Sequence, residues 1–410
     1  MEHLKPIRAL EQERLTEEDN EYFQNLDLDF DDNSNKKVPL YLGISKDGEC
    51  SYYIGATWLK TGSRPLVVLP KFPDIDFISI FANAISNNIS PNYFEEAYSI
   101  NFDAPLIYEN ALNSVLSPLI VAHYLSIIKK LLKRGLKKNY IIIEENKKNK
   151  IRGHILPLKN LQQNIARGHS ERVLCRYQEY SFNYCENQLL KRALLASENL
   201  LVSYCPRNSK MLQIVRNALT EFEGISADIT PSQVKSIKND KLHGEYPQAI
   251  ELAKRILRRT DFSINDSQHQ EQGVPEFSID MSRIFEFHVL DFLAKKFPNA
   301  EILFQESAGV MGRCDYLIPS EKLIIDAKYK ANYPKRNNRE DIREVSGYAR
   351  AERIRKICNI KDSNILNCLI IYPNDYGETL ISNKNIIEES IHINGIANFY
   401  TLGIKIPKIE

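Results

Sequence analysis

The sequence predicts an α/β protein: a β-containing N-terminal module, a helical middle region, and a C-terminal domain built on a mixed sheet flanked by helices. Three observations carry that prediction. Runs of β-branched and aromatic residues recur between 36 and 115, at 38–44, 50–58 and 65–70. Apolar residues at helical spacing dominate 150–265. At 312–330 the stretch GRCDYLIPSEKLIIDAKYK reads as two short strands about a tight turn, between helical stretches at 277–297 and 341–357. The expected divisions are an acidic arm at 1–35, the β-containing module at 36–150, the helical region at 151–265 and the C-terminal domain at 266–410.

In chain order, residues 11–32 hold ten acids against one arginine, the pattern of a mobile acidic arm or of a short helix at 16–26. Trp58, the sole tryptophan, reads as core. An amphipathic helix is expected at 116–132, running into a basic segment at 129–138. The best helices of the middle region are 186–201, 211–220 and 249–257, with Pro206 breaking the chain after the first. Residues 263–273 are polar and read as a linker.

The hairpin at 312–330 carries the chemistry. Leu317, Ile318, Leu323, Ile324 and Ile325 supply strand residues, and Pro319, Ser320, Glu321 and Lys322 supply the turn. If Ile318 pairs with Leu323, the ladder sets Asp315 opposite Asp326, with side chains roughly 4.5–5.5 Å apart at Cβ. Lys328, two residues on, points to the same face. Two carboxylates this close must share a proton or a cation. Hard oxygen ligands suit Mg²⁺, which keeps waters and accepts phosphate oxygens. Asp-x-Lys alone is most often a solvated ion pair on a strand; the apolar run into Asp326 and the opposed Asp315 favour the catalytic reading. Asp-x₁₀-Asp-x-Lys across a hairpin resembles the core of the PD-(D/E)XK phosphodiesterases, which implies a restriction-endonuclease-like fold and hydrolysis of a nucleic-acid backbone.

The flanking helices add further candidates. Ile279, Glu286, Leu290, Leu293 and Phe297 share one expected face, where an unpaired carboxylate is costly. Glu286 is therefore either a further metal-site acid or the partner of Lys295 or Lys296. Residues 328–356 hold ten Lys or Arg against four acids, in a chain whose total is +1. With Tyr329, Tyr333 and Tyr348 interleaved, this stripe suits a phosphate backbone as well as it suits a solvated surface. Lys330, Arg343 and Tyr348 are its DNA-contact candidates.

Taken together, these motifs resemble the McrC family, the nuclease subunit of McrBC-type restriction systems. Arg313-Cys314-Asp315, Ile325-Asp326-Ala327-Lys328-Tyr329-Lys330, Ile284-Phe285-Glu286 and the helix from Asp341-Ile342 to Tyr348-Ala349 carry the likeness. Upstream, Val68-Leu69-Pro70-Lys71, the LKRG at 132–135, Ile151-Arg152-Gly153 and the segment from Cys185 to Lys191 extend it. Glu344 and Gln188 depart from the family pattern, where Gln and Arg are usual. The resemblance implies Asp315, Asp326 and Glu286 at an Mg²⁺ site, Lys328 beside the attacking water, double-stranded DNA as substrate, and a hexameric McrB-like AAA+ GTPase that docks on the 36–150 module. No G-x-x-x-x-G-K-[ST] phosphate loop is present, so nucleotide hydrolysis falls to another chain.

Two rivals remain: a nuclease-like adaptor that only stimulates an AAA+ partner, and a stand-alone DNA repair nuclease. Seven cysteines without C-x-x-C spacing argue against a zinc ribbon and for reduced thiols. No H-E-x-x-H or G-x-S-x-G motif appears. With no apolar signal core at the N-terminus and no run near the ~20 residues a bilayer span needs, a cytoplasmic protein without membrane contact is expected.

Overall fold

The computed structural model describes residues 5–30, 38–60, 62–109, 112–234, 244–265, 273–330, 333, 339–360, 364–378 and 385–409. Its contacts group the chain into two compact units, Met1–His123 with Asn265–Glu410, and Tyr124–Ile264. The divisions expected at 35/36 and 150/151 do not separate these units. Most of the expected 263–273 linker lies outside the described residues.

The first unit opens with β1 (Ile7–Leu10), α1 (Glu17–Gln24), β2 (Tyr53–Trp58), β3 (Pro65–Leu69), α2 (Phe77–Ser86), α3 (Pro91–Glu96), β4 (Tyr98–Asn101) and β5 (Ile107–Tyr108). The expected mobile acidic arm is corrected here. β1 runs parallel to β3, and Leu15 and Phe23 are buried with Ile7 and Leu66 in one cluster. Of the two readings of 11–32, the short helix holds. Thr16 caps it by accepting from the Asp19 N–H, and three acids occupy its first turn, where the helix dipole favours them. Residues 38–44 form no strand: Leu40–Gly43 is a tight 3₁₀ turn with Tyr41 and Leu42 in the left-handed region. Burial decides this, because both side chains plug the same cluster. Trp58 is half-buried, its Nε1 donating to the Pro105 carbonyl.

The unit boundary falls inside α4 (Asn113–Arg134). Its stretch Ser114–Arg134 is long and apolar enough to cross a membrane by length and composition, against expectation. However, 83% of its most apolar window is buried, as in a core helix.

The second unit holds β6 (Asn139–Lys148), β7 (His154–Ile155), α5 (Pro157–Gln163), β8 (Arg172–Ser181), α6 (Cys185–Val202), α7 (Lys210–Thr220) and α8 (Tyr246–Asn265). The three long helices fall where periodicity puts them. The antiparallel sheet β6-β8-β7 adds strands to a region expected to be mainly helical. Tyr140, Ile142 and Tyr180 on it are exposed, so the alternation that normally marks a half-buried strand is blurred. The Cys185–Lys191 motif is structural. Buried Asn187 donates to the carbonyls of Lys137 and Phe182 and accepts from Tyr246 Oη.

The chain re-enters the first unit through β9 (Gly273–Val274), β10 (Glu276–Asp280), α9 (Met281–Lys296), β11 (Leu303–Ser307), β12 (Arg313–Ile318), β13 (Leu323–Ala327), α10 (Arg339–Arg350), α11 (Glu352–Ile357), β14 (Asn367–Glu378), α12 (Ile386–Glu389), β15 (Ile391–His392) and β16 (Phe399–Ile404). The helix expected at 277–297 begins only at Met281. Phe277, Ser278 and Ile279 are a strand instead, paired with β2 on one side and β4 on the other. A buried apolar run reads equally as helix or strand until its neighbours are known. The five-stranded sheet β1-β3-β2-β10-β4 thus takes an interior strand from the C-terminal third of the chain. Asp280 ends the strand and caps α9, accepting from the N–H groups of Ser282 and Arg283.

The second sheet, β11-β12-β13-β14-β16-β15, is mixed: the first two pairings and β15/β16 are antiparallel, while β13/β14 and β14/β16 are parallel. α9 packs on β13, and α10 packs on β12, β13 and β14. The helix expected at 341–357 is two helices, broken where Ala351 takes an extended ψ of 126°. The interior of the five-stranded sheet allows no side chain at Gly55. Its φ is +147°, and a Cβ there meets the Phe277 carbonyl oxygen at 2.1 Å. Gly55→Ala is expected to destabilise by roughly 2–4 kcal/mol in chemical denaturation. Gly62→Ala, where no atom lies within 4 Å, should cost only the left-handed penalty of about 1 kcal/mol.

Candidate active site

Local geometry at the hairpin follows from its turn. Pro319–Glu321 forms a 3₁₀ turn, and Lys322 at φ 50° reverses the chain. Ile318 then pairs with Leu323, Leu317 with Ile324 and Tyr316 with Ile325. One further step sets Asp315 against Asp326, both on the face of Leu317 and Ile324 by strand alternation. On that face Leu317, Ile324, Ile370, Val345 and Tyr348 form one buried cluster. Asp315 Oδ2 accepts from the Ala327 N–H at 2.8 Å, which ties the two strands at their open end.

Lys328 is fixed at both ends. Its N–H donates to the Ile371 carbonyl, continuing the parallel ladder past β13. Its Nζ lies 2.9 Å from Asp326 Oδ2 and donates to Glu344 Oε2 at 2.9 Å. The Lys328 ammonium is the charge that faces buried Asp326 Oδ2, which takes no other hydrogen bond among the described residues. Glu344 Oε1 in turn accepts from Tyr348 Oη.

Glu286 enters from α9. Arg283 Nη1 contacts its two oxygens at 3.2 and 3.1 Å, and the expected partners turn elsewhere, Lys295 to Asp291 and Lys296 to Glu389. Gln305 joins Glu286 to the hairpin: its Nε2 donates to Glu286 Oε2 and to Asp315 Oδ1, both at 2.9 Å. Tyr316 Oη donates to the Glu286 carbonyl. Glu286, Asp315, Asp326 and Lys328 therefore sit in one hydrogen-bonded and charge-coupled neighbourhood.

Burial governs the electrostatics. Desolvation, with the neighbouring carboxylate next in size, pushes Asp315 and Asp326 each up to about 7. Desolvation also raises Glu286 to about 7 against the pull of Arg283. Lys328 is partly desolvated too, but Asp326 and Glu344 hold its ammonium charged, above the ordinary lysine range. Among the described residues no three His, Cys, Asp or Glu side chains form a ready-made metal cage. The donor set fits a cation that needs few protein ligands. Asp326 offers a buried oxygen without a hydrogen bond, and each Asp315 oxygen accepts one donor, leaving a lone pair. Mg²⁺ takes one or two carboxylates and completes its shell with water and phosphate oxygens.

Part of the basic stripe is neutralised by neighbouring acids. Lys328 and Lys330 pair with acids of α10, Arg353 with Glu306, and Lys356 with Glu352. Tyr329, Tyr333 and Tyr348, expected to interleave with a phosphate-binding stripe, are buried rather than displayed. Tyr348 acts inside the site, through Glu344. Of the three DNA-contact candidates only Arg343 is exposed and makes no hydrogen bond or ion pair among the described residues. Lys335 and Arg336 lie outside the described residues. Sequence reasoning missed Arg283 and Gln305. Gln305 stands at φ 55°, between the pairs Phe304–Tyr316 and Glu306–Cys314, and no local pattern marks that irregularity.

Two solved structures similar to the chain come from Thermococcus gammatolerans. One is a half-complex from a tetradecameric assembly of McrB AAA+ hexamers with bound McrC, at 13% identity over 99% of this chain and 95% of that chain, with a TM-score of 0.40. The other is the McrBC complex seen by cryo-EM, at 13% identity over 83% and 100%, with a TM-score of 0.32. No curated protein matches the chain. Residues 53–349 match the family model of the McrBC 5-methylcytosine restriction system component, and that span contains all the McrC-like motifs from Val68 to Ala349. The chain belongs to this McrBC family of restriction-system components.

Proposed function

We propose that this protein is the DNA-cleaving subunit of a McrBC-type restriction system, a PD-(D/E)XK-type endonuclease that uses Mg²⁺ and works with an McrB-like AAA+ GTPase on double-stranded DNA. The single observation that supports it most is the convergence of Asp315, Asp326 and Lys328 at the open end of one hairpin, with Glu286 joined through Gln305. Family membership supports the partner, and the missing phosphate loop is consistent with it.

Asp315 and Asp326 would hold Mg²⁺, which when bound neutralises phosphate charge and acidifies a water. Lys328, held between Asp326 and Glu344, presents its ammonium to the charge that grows on the phosphoryl oxygens. Glu286, raised to about 7, can carry a proton near neutral pH, as a general acid or base requires. Gln305 sets the spacing of Glu286 and Asp315. The attacking water gives up a proton as its oxygen bonds to phosphorus, the bond to the leaving sugar oxygen breaks, and that oxygen takes up a proton. The adaptor reading draws on two observations: Arg283 pairs with Glu286, and among the described residues no three His, Cys, Asp or Glu side chains stand ready for metal.

Asp326→Asn in the complex with the GTPase is expected to lower the cleavage rate by about 10³-fold while leaving GTPase stimulation intact. Stimulation without any cleavage by the unsubstituted complex would establish the adaptor, and cutting without partner or nucleotide the stand-alone nuclease. The raised carboxyl groups make a second prediction. A carboxyl whose folded value lies above its unfolded one binds more protons when folded, so its contribution to stability falls as pH rises from about 4 to about 7. The metal-free protein should therefore lose melting temperature over that window, Asp315→Asn/Asp326→Asn should flatten the loss, and millimolar Mg²⁺ should restore it at pH 8 in the unsubstituted protein alone. For DNA, Arg343→Ala should weaken binding equally across sequences and lower the salt slope by about one unit. A slope unchanged by the substitution removes Arg343 from the interface.

A further inference from the structure

Beside Lys328 lies a second hydrogen-bonded group, contributed by the N-terminal strand. Tyr329 is buried, its ring 5.7 Å from that of Phe285 and 6.0 Å from that of Phe72. Its hydroxyl donates to Glu11 Oε1 at 2.6 Å, and its carbonyl accepts from Gln12 Nε2 at 2.9 Å. Glu11 has no exposed surface. Oε1 also accepts the Lys71 N–H, while Oε2 is buried without a hydrogen bond. The Glu11 N–H donates to the Leu69 carbonyl, extending the β1/β3 ladder. Gln12 follows at φ 58° and departs from strand alternation, so two successive side chains grip one residue.

That residue sits where the chain leaves β13. The Lys330 N–H donates to the Lys328 carbonyl at 2.8 Å, a tight turn centred on Tyr329. On the other side Lys328 is pinned only by the Ile371 carbonyl and by its own ammonium contacts. A buried carboxylate with one unsatisfied oxygen is a costly way to fill space. It is a direct way to fix a phenol and, through one peptide, the direction of the neighbouring lysine.

We infer that Glu11 and Gln12 are positioning residues for the cleavage reaction, aiming Lys328 at the reacting phosphate by holding Tyr329 at both its hydroxyl and its carbonyl. This rests on the nuclease reading above and goes beyond it, because it places part of the catalytic apparatus in the first twelve residues. Lys71, within the Val68–Lys71 motif, joins the same group through its backbone N–H. The effect is one of orientation, and small misplacements of a catalytic group can lower rates by up to about 10²-fold.

The test uses the full chain with its GTPase partner on duplex DNA, with single-turnover cleavage and DNA affinity measured separately. Tyr329→Phe, Glu11→Gln and Gln12→Ala should each lower the cleavage rate by about 10-fold or more. DNA affinity and GTPase stimulation should stay within about twofold, the split expected of a group that acts on the chemical step. In a Lys328→Arg background, followed over long incubations, the same substitutions should change the residual rate by less than about twofold, since their effect runs through Lys328. Tyr329→Phe, which keeps the ring packing, guards against a variant that fails to fold. A cutting complex indifferent to Tyr329→Phe overturns this inference alone, as does an equal loss in the Lys328→Arg background. An unsubstituted complex that never cuts overturns the nuclease reading and this one with it.

Discussion

The antiparallel register of Ile318 with Leu323 is the constraint on which the site depends. Strand side chains alternate with a period of two, so a slip of one residue would send Asp315 to the opposite face from Asp326. The register is held by the Pro319–Glu321 turn, by left-handed Lys322, and by the burial of Leu317 and Ile324 with Val345 and Tyr348. Hydrophobic packing on one face thus decides where the charges of that face must stand.

Keeping those charges buried shapes the neighbourhood around them. The Ala327 N–H, Gln305, Arg283, Lys328 and Glu344 each compensate one acid or one cation, and the compensation is incomplete at Asp326 Oδ2. Replacing such groups by apolar residues often costs a fold nothing in stability. Their assembly at the end of a hydrophobic sheet therefore points to chemistry rather than to cohesion. Glu344 becomes intelligible as the second carboxylate on Lys328 and the acceptor for Tyr348.

The same unit is interlocked through one strand and one residue. β10 completes the five-stranded sheet from a position far along the sequence, and Asp280 converts it at once into α9, which carries Glu286. Glu11 returns the connection from the other terminus, reaching Tyr329. An N-terminal module and a C-terminal domain are thus not separable layers within this unit. The acid-rich opening of the chain is part of its framework.

Much of the site was legible in the residues themselves. The hairpin, its register, the opposed aspartates and the adjacent lysine follow from a run of strand formers, one turn and strict alternation. The long helices of the middle region follow from periodicity in the same way. Local pattern failed where the deciding contact is distant. Phe277–Ile279 is a strand only because β2 and β4 lie on either side, and residues 38–44 coil because Tyr41 and Leu42 fill a cluster built by Ile7, Phe23 and Leu66. Arg283 stands three residues before Glu286 on the same helix, a spacing that pairs them locally, whereas Gln305 and Glu11 carry no spacing signal, since each meets its partner across a break in the ladder or from another element. The sequence by itself determined which acids and which lysine share a face, because alternation along a strand is a local property. Tertiary structure alone decided how their charge is balanced, because hydrogen bonds to buried carboxylates are satisfied by whichever donors the packing brings near.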